Sequence, residues 1–267
     1  MSLPIYEAIS FQSVMLGGRT NPWLVLVNEN GQEKPYVVKL FNEIENSRRE
    51  SIANEIVGNV LATEFGLLTP KPALIDIDNP DFIKTIRDPN AFHIYEHADE
   101  RIKFGCEYVY PNTPYVKGAF TRTQVKRAIE IDTLFAFDNL IVNRDRGQSK
   151  PNILMKDRSA VLIDHELAFE IDRDTIDRIN DKNWIGGFEY HIFHGYLKKS
   201  TKSTKEQYFG EFEEYLKYLP VNNLASYLNQ LTQFGYATNK HQYIMEYLEN
   251  VRINSPNFVQ LLQALIS

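Results

Sequence analysis

Two acidic residues and one asparagine in the middle of the chain have the types and spacing that phosphate chemistry needs. Asp145 follows an apolar helical run, Asn152 opens one short apolar segment, and Asp164 ends another. One carboxylate can orient a hydroxyl and accept its proton, while a second carboxylate and an amide oxygen suit a hard cation such as Mg²⁺. If both segments are strands, their ends bring these groups into one cleft. The set therefore fits transfer of a phosphoryl group from a magnesium-bound nucleotide.

The same residue types are common in turns, so the spacing of Asp145 and Asn152 alone has little weight. The context supplies the weight, because a helix precedes the pair and two apolar strands follow it, the second ending in Ile163-Asp164. Asp132 and Asp138 lie inside the preceding helix, and we interpret them as structural or surface groups.

A second block lies near the N-terminus. Gly17 and Gly18 separate two predicted strands, and glycines let a backbone approach a phosphate closely. A hairpin turn explains the two glycines equally well. On the next predicted strand, Lys39 follows two valines, which is the pattern of the lysine that contacts the nucleotide in kinases. An acidic helix comes next, so the blocks follow the order found in kinases.

Over residues 5–170 this order resembles the HipA-like kinases and, more distantly, phosphoinositide kinases and aminoglycoside phosphotransferases. The resemblance implies ATP and Mg²⁺ as cofactors, Asp145 as the catalytic carboxylate, and Asn152 and Asp164 as magnesium ligands. Six residues separate Asp145 from Asn152, where most kinases have four. The segment 147–150 therefore looks like a small insertion.

The resemblance also implies the residues that hold the nucleotide. Gly17 and Gly18 would lie against its phosphates, and Lys39 would contact them with Glu55 as its partner. Glu55 matches an Asn-Glu pattern of the family. Glu50 is the alternative partner, although a helix-capping role explains it without any function.

The same resemblance implies an α+β, bilobal protein-kinase-like fold. We expect a small lobe over residues 1–110, with an antiparallel sheet and one helix, and a larger, mainly helical lobe over residues 111–267. Residues 79–101 hold two Asx-Pro pairs that indicate turns.

Capping signals locate the helix ends. Ser47 and Glu50 form a Ser-x-x-Glu box that predicts a helix start, and Gly66 predicts its end. Thr121 and Gln124 form a second such box at the start of a long helical stretch.

Composition limits the setting. The chain has 267 residues and a net charge of −6, so the electrostatic term that drives nucleic-acid binding is missing and no nucleic-acid partner is expected. The single Cys106 excludes an internal disulfide. Because no signal peptide and no long apolar run is present, we expect a cytoplasmic protein without a membrane partner. The basic pair Lys198-Lys199 is interpreted as solvated surface.

The sequence does not decide which hydroxyl compound accepts the phosphoryl group. The resemblance favours a serine or threonine of a protein, but Asp164 with Glu166 forms an Asp-x-Glu pair that is similar to small-molecule phosphotransferases. A nucleotide-binding pseudokinase is the third alternative.

Toxins of the family use an additional N-terminal region to engage an antitoxin, and because this sequence begins almost at its first strand, such a partner is left open. The role of His165 is also open, and His191 with His194 is interpreted as a pair of surface or packing residues rather than as a metal pair.

Overall fold

The computed structural model describes residues 1–15, 20–181 and 188–267, so Gly17 and Gly18 lie outside the described residues. The chain forms two compact units, each assembled from separate segments. Unit 1 consists of Met1–Val57, Pro70–Tyr110 and Ala225–Thr238, and unit 2 of Gly58–Thr69, Pro111–Leu224 and Asn239–Ser267. The lobes predicted for residues 1–110 and 111–267 stay a prediction.

Unit 1 contains a closed barrel of five strands in the order β1-β2-β3-β5-β4. Neighbours are antiparallel except β1 and β4, which run parallel, so the prediction of a purely antiparallel sheet was wrong. The reason is geometric, because an odd number of alternating strands must place two of the same direction side by side on closure. The strands are β1 Ile5–Val14, β2 Trp23–Glu29, β3 Gln32–Lys39, β4 Pro72–Asp76 and β5 Lys103–Glu107.

The barrel core comes from alternate residues of its strands. Trp23, Val25 and Val27 of β2 are fully buried, and Tyr36 and Val38 of β3 are buried beside them. This period of two is what a strand with one buried face requires. Each such side chain contributes about 1.5–3 kcal/mol through burial.

The helix predicted to run from Ser47 to Gly66 is two helices in the structure, and neither starts at Ser47. Helix α1 (Glu43–Arg49) is capped by Asn42, which forms a capping box with Glu45, so Ser47 lies inside it. Glu50 adopts a left-handed conformation that ends α1, and α2 (Ser51–Glu64) follows directly. The prediction failed because Asn42, an equally good cap, stands one turn upstream. The end at Gly66 is confirmed, since its φ is 68°.

The two Asx-Pro pairs also start helices rather than turns. Asn79 caps α3 (Pro80–Ile83) and Asp88 caps α4 (Pro89–His97), each with proline at the first helical position. Proline fits there because that position needs no amide donor. The described part of residues 1–110 therefore contains four helices rather than the one that was predicted.

Unit 2 is mainly helical and carries a three-stranded sheet, β6-β7-β8. The capping box of Thr121 and Gln124 is confirmed at the start of α5. None of the helices in the described part of the chain combines the length and apolar character needed to cross a membrane. The remaining elements are β6 Thr113–Pro114, α5 Arg122–Ala128, α6 Ile131–Leu140, β7 Ile153–Lys156, β8 Ser159–Leu162, α7 Arg173–Asn180, α8 His194–Lys198, α9 Lys202–Lys205, α10 Gly210–Lys217, a 3₁₀ turn Val221–Asn223, α11 Leu224–Gln233, α12 His241–Ile253 and α13 Ser255–Leu265.

Candidate active site

The β7–β8 hairpin brings Asn152 and Asp164 to one end. Ile153 of β7 pairs with Leu162 of β8, so Asn152 lies just before the paired region and Asp164 just after it. The Ile163 amide donates to the Asn152 carbonyl at 3.1 Å, which extends the ladder by one bond. The open end of this hairpin therefore carries two of the residues predicted to bind metal.

Both residues hold a strained backbone conformation. The φ angles of Asn152 and Asp164 are 54° and 68°, in the left-handed region. Asn and Asp tolerate this region better than other non-glycine residues, and such conformations concentrate at functional sites. The structure thus fixes the direction of both side chains through the main chain.

Asp145 lies beside Asn152. The Asn152 side-chain nitrogen donates to Asp145 Oδ2 at 3.0 Å. This bond leaves the Asn152 amide oxygen as the atom that can bind a cation. Asn143 holds Asp145 from the other side, since its Oδ1 accepts the Asp145 amide at 3.1 Å and its nitrogen donates to Asp138 Oδ1 at 2.9 Å.

A buried arginine joins the two ends of the loop between Asp145 and Asn152. Arg146 Nε donates to Asp138 Oδ2 at 2.6 Å, and both side chains are fully shielded from solvent. Its Nη1 donates to the carbonyls of Pro151 and Asn152 at 3.0 and 2.9 Å. Asp138 on α6 thus anchors, through Arg146, the backbone that carries Asn152.

His191 completes this network as a neutral donor. The Phe193 amide donates to Nδ1 of His191 at 3.1 Å, so the proton of the neutral ring is on Nε2, which lies 3.0 Å from Asp138 Oδ2. Burial lowers the pKa of His191, which keeps the ring neutral. Burial alone would raise the pKa of Asp138, but the charge of Arg146 and the hydrogen bond from His191 lower it.

The two histidines considered as a metal pair have separate structural partners. His191 contacts Asp138, whereas His194 lies 3.0 Å from the carbonyl of Leu265 through its Nε2. Both are buried. Of the two alternatives left open, surface and packing, the structure shows packing.

Around Asp164 the side chains are charged or tightly packed. Lys150 Nζ lies 3.2 Å from Asp164 Oδ2, and carboxylate oxygens of Asp164 and Glu166 lie within 4.8 Å of one another. His165 is buried, with its ring edge-on to Phe137 at 6.2 Å between centroids. A Cβ atom at Gly58 would come within 2.5 Å of His165 Cβ, so His165 packs directly against that glycine.

The donor set at the open end of the hairpin fits Mg²⁺. Its atoms are carboxylate oxygens of Asp164 and Glu166 and the amide oxygen of Asn152, with the Asp145 carboxylate adjacent. Magnesium prefers such hard oxygen ligands. The chemistry of the residues thus agrees with the cation expected from the sequence.

In unit 1 the structure forms the ion pair expected between Lys39 and Glu55. Lys39 ends β3 and points away from the face that buries Val38, while Glu55 is buried on α2. Lys39 Nζ also lies 5.9 Å from the centroid of the Phe41 ring. Glu50, the alternative partner, terminates α1. The roles of Lys39 and Glu55 in nucleotide binding stay predictions.

Asn143, Arg146 and Lys150 also shape the site, and none of the three was predicted from the sequence. A signal for the first two existed, because Asp138 lies in an otherwise apolar helix and a buried carboxylate needs a cation or donors nearby. Asp138 was predicted to be a structural or surface group, and its partner Arg146 was not predicted.

Comparisons with known proteins give the family of this chain and the likeness of its fold. A family model described as HipA-like kinase matches residues 9–260. Among solved structures, the crystal structure of the Helicobacter pylori proinflammatory kinase CtkA is similar, with 12% sequence identity, a TM-score of 0.51, and coverage of 99% of this chain and 98% of that chain. At this identity the likeness shows a kinase-like fold and nothing further. A search of curated protein sequences finds no match.

Proposed function

Because this chain belongs to the HipA-like kinase family, we propose that it transfers the γ-phosphate of ATP, with Mg²⁺, to a serine or threonine hydroxyl of a protein. The observation that carries the proposal is the Asp145–Asn152 hydrogen bond of 3.0 Å at the hairpin end that also bears Asp164. This arrangement supplies a proton acceptor and oxygen ligands within one unit.

In the proposed reaction, Asp145 orients the acceptor hydroxyl and takes its proton as the new oxygen–phosphorus bond forms. The bond between the γ-phosphorus and the β–γ bridging oxygen breaks, and ADP leaves. Asn152 and Asp164 would hold Mg²⁺, which neutralises charge on the phosphates when it is bound. Positioning and charge neutralisation are the main contributions that a protein makes to phosphoryl transfer.

The Lys39–Glu55 pair would contact the nucleotide phosphates, and we propose that it belongs to the smaller of the two lobes (residues 1–110). Glu55 is buried and Lys39 is mostly so, with 3% and 13% of their side chains exposed. Burial of a charged pair is costly unless both partners are well placed, so a role beyond stability is a reasonable expectation for it.

The test is transfer of label from [γ-³²P]ATP into protein, measured in a cell extract and with the chain alone. Asp145→Asn should reduce transfer by at least about 10³-fold, because the proton acceptor is lost, while ATP binding stays within about twofold. Asp164→Asn should weaken Mg²⁺-dependent binding of a non-hydrolysable ATP analogue. Asp157→Asn is the matched control, since Asp157 has a left-handed φ of 54° and lies in the β7–β8 turn.

Lys39 is tested by Lys39→Met, with Lys34→Met as control. Lys34 lies on the same strand, β3, and forms an ion pair of 3.1 Å with Glu29. We expect Lys39→Met to lower kcat/KM for ATP by about 10²-fold or more and the control to stay near the wild-type value. Equal activity of the two variants would remove Lys39 from the proposal.

A small-molecule acceptor is the second candidate, and the closeness of Asp164 and Glu166 carboxylates, within 4.8 Å, favours it. The labelling experiment separates the two. Label in acid-precipitated protein supports the protein acceptor, whereas label only in sugars, nucleosides or other soluble hydroxyl compounds supports the alternative. Absence of transfer to either class would leave a nucleotide-binding pseudokinase.

A further inference from the structure

A basic groove lies on unit 2, lined by residues outside the catalytic set. Its volume is about 470 Å³, and it is lined by Arg122, Lys126 and Arg127 on one side and by Lys199 on the other. The first three belong to α5, and Lys199 directly follows α8. The two segments are about 70 positions apart in the sequence, so their charges become one feature only in the fold.

The groove concentrates positive charge in a chain that is acidic overall. Residues 119–129 and 198–205 contain no Asp or Glu, although the net charge of the chain is −6. Across the described ranges, the four lining cations form no ion pair, whereas Lys84, Arg173 and Lys217 elsewhere all pair with carboxylates. Glu130 follows α5 closely enough for Lys126 to lower its pKa, against the larger effect of burial that raises it.

The groove walls are held in place. The Arg122 guanidinium lies 4.3 Å from the centroid of the Tyr196 ring, and the Tyr196 hydroxyl donates to the Arg122 carbonyl at 3.4 Å. These contacts fix α5 against α8. The connection after α8 is ordered as well, because Ser200 bonds to Tyr208 and Thr201 caps α9.

The chemistry of the lining identifies the ligand class. All the lining residues that the structure describes are cations or carry hydroxyls, the latter being Thr123, Ser200, Thr201 and Thr204. Pockets that enclose small molecules are mostly apolar and aromatic, and sites for single-stranded nucleic acid add stacking aromatics to an extended basic track. The groove therefore fits better to a ligand that places one multiply charged anionic group in it and leaves the rest of the ligand in solvent. A phosphate monoester carries up to two charges and three strong acceptor oxygens, which such a cluster of donors matches.

We propose that this groove binds a phosphoserine or phosphothreonine side chain of a protein segment. The inference rests on the proposed function for the origin of the phosphate, since a kinase of protein hydroxyls makes this group. Binding of a product-like residue here would hold a protein that has already been phosphorylated once. Binding itself does not depend on catalysis, so the two proposals can fail separately.

The test measures fluorescence anisotropy with a labelled peptide, Ala-Gly-phosphoserine-Ala-Gly, on the full chain. Two control peptides carry serine or glutamate in place of the phosphoserine. A labelled single-stranded oligonucleotide of mixed sequence is the fourth probe. We expect the phosphopeptide to bind at least 10-fold more tightly than either control peptide, with an affinity that falls as the salt concentration rises. The Asp145→Asn protein should bind it as the wild type does, which separates this result from any failure of transfer.

Charge-neutralising variants locate the binding. Lys126→Gln/Arg127→Gln should weaken phosphopeptide binding by at least 10-fold, and Lys199→Gln, on the opposite wall, by at least threefold. Lys117→Gln/Arg158→Gln removes the same charge from other exposed positions of unit 2 and should stay within twofold of wild type. Glutamine is a good helix former, and circular dichroism checks that each variant is folded.

Three outcomes would overturn the proposal. The first is that the glutamate control peptide binds as tightly as the phosphopeptide, which would make the groove a site for acidic peptides. The second is tighter binding of the oligonucleotide. The third is phosphopeptide binding that is absent, or that survives unchanged in both groove variants.

Discussion

Arg146 and Asp138 are joined by a hydrogen bond of 2.6 Å in a region where neither side chain reaches solvent. The remaining donors of Arg146 include one nitrogen that bonds to two consecutive carbonyls, those of Pro151 and Asn152. Because Asp138 lies in the buried helix α6, the pair connects the rigid part of unit 2 to the loop that carries Asp145 and Asn152.

Replacing Arg146 by methionine should lower the free energy of unfolding by about 3–5 kcal/mol, because Asp138 then remains buried without its cation. Chemical denaturation measures the change. Arg144→Met is the matched control, since Arg144 is an exposed arginine two positions away, and its effect should stay within about 0.5 kcal/mol. Adding Asp138→Asn to Arg146→Met should recover part of the loss. If the two arginine variants are equally stable, the buried pair does not hold the loop.

Replacing Lys150 by glutamine should lower the Mg²⁺ concentration needed for half-maximal binding of a non-hydrolysable ATP analogue. Lys150 lies 3.2 Å from Asp164 Oδ2 and therefore competes with a cation for that oxygen. Lys150 is about half exposed, so its ion pair is weak and the shift should be about two- to fivefold. Calorimetric titration at several Mg²⁺ concentrations measures it, with Lys117→Gln as control. A higher Mg²⁺ requirement in Lys150→Gln would contradict this view of the pair.

Replacing Gly58 by alanine should destabilise the protein by about 1–3 kcal/mol, the usual cost of overpacking. The new Cβ would lie 2.5 Å from Cβ of His165, which is buried and cannot move aside freely. Gly195→Ala is the control, because no atom lies within 4 Å of its added Cβ, and it should be neutral or stabilising. Thermal unfolding compares the two. Because His165 follows Asp164, Gly58→Ala should also weaken Mg²⁺ binding.

Lys103 predicts a pH dependence of stability. Burial lowers the pKa of Lys103 to about 8, against a contribution from Asp99 that raises it. The unfolded chain, with a lysine pKa near 10.5, takes up a proton first as the pH falls, so the free energy of unfolding decreases between pH 10.5 and 8 and is constant below. At about 1.4 kcal/mol per pKa unit, the decrease is on the order of 3 kcal/mol.

The measurement is the difference in the free energy of unfolding between wild type and Lys103→Met across that range. The difference should rise with pH from 8 to 10.5. Lys71→Met is the control for loss of an exposed lysine, since the Lys71 side chain is 72% exposed. A flat difference for Lys103→Met would mean that Lys103 keeps an ordinary pKa in the folded protein.

Local patterns predicted much of this molecule. The strands β2 and β3, the stop at Gly66 and the capping box at Thr121 depend on neighbouring residues only, and all of them are observed. The position of Asn152 and Asp164 at one hairpin end was also accessible, because the two apolar segments are separated by a short turn. The expected partner of Lys39 came from the family resemblance.

Features that depend on distant contacts could not be predicted in this way. Closure of the barrel through β1 and β4 joins strands about 70 residues apart, and no local signal encodes it. The start of α1 was misplaced because two capping boxes compete and only packing decides between them. The basic groove needs α5 beside the residues after α8, so Lys199 was interpreted together with Lys198 as ordinary solvated charge, and its neighbours on α5 were not predicted.

The way in which Arg146 bonds to Pro151 and Asn152 has a consequence for how this loop can change over time. Residues 147–150 form a loop whose first end follows Arg146 and whose second end, at Pro151 and Asn152, is bonded to the Arg146 side chain. The number of residues in this loop can therefore vary without displacing either end. Extra length in a flexible loop adds little to its closure entropy. The six residues between Asp145 and Asn152 therefore leave both ends of the loop where Arg146 holds them, and we expect related proteins to differ in the number of residues there.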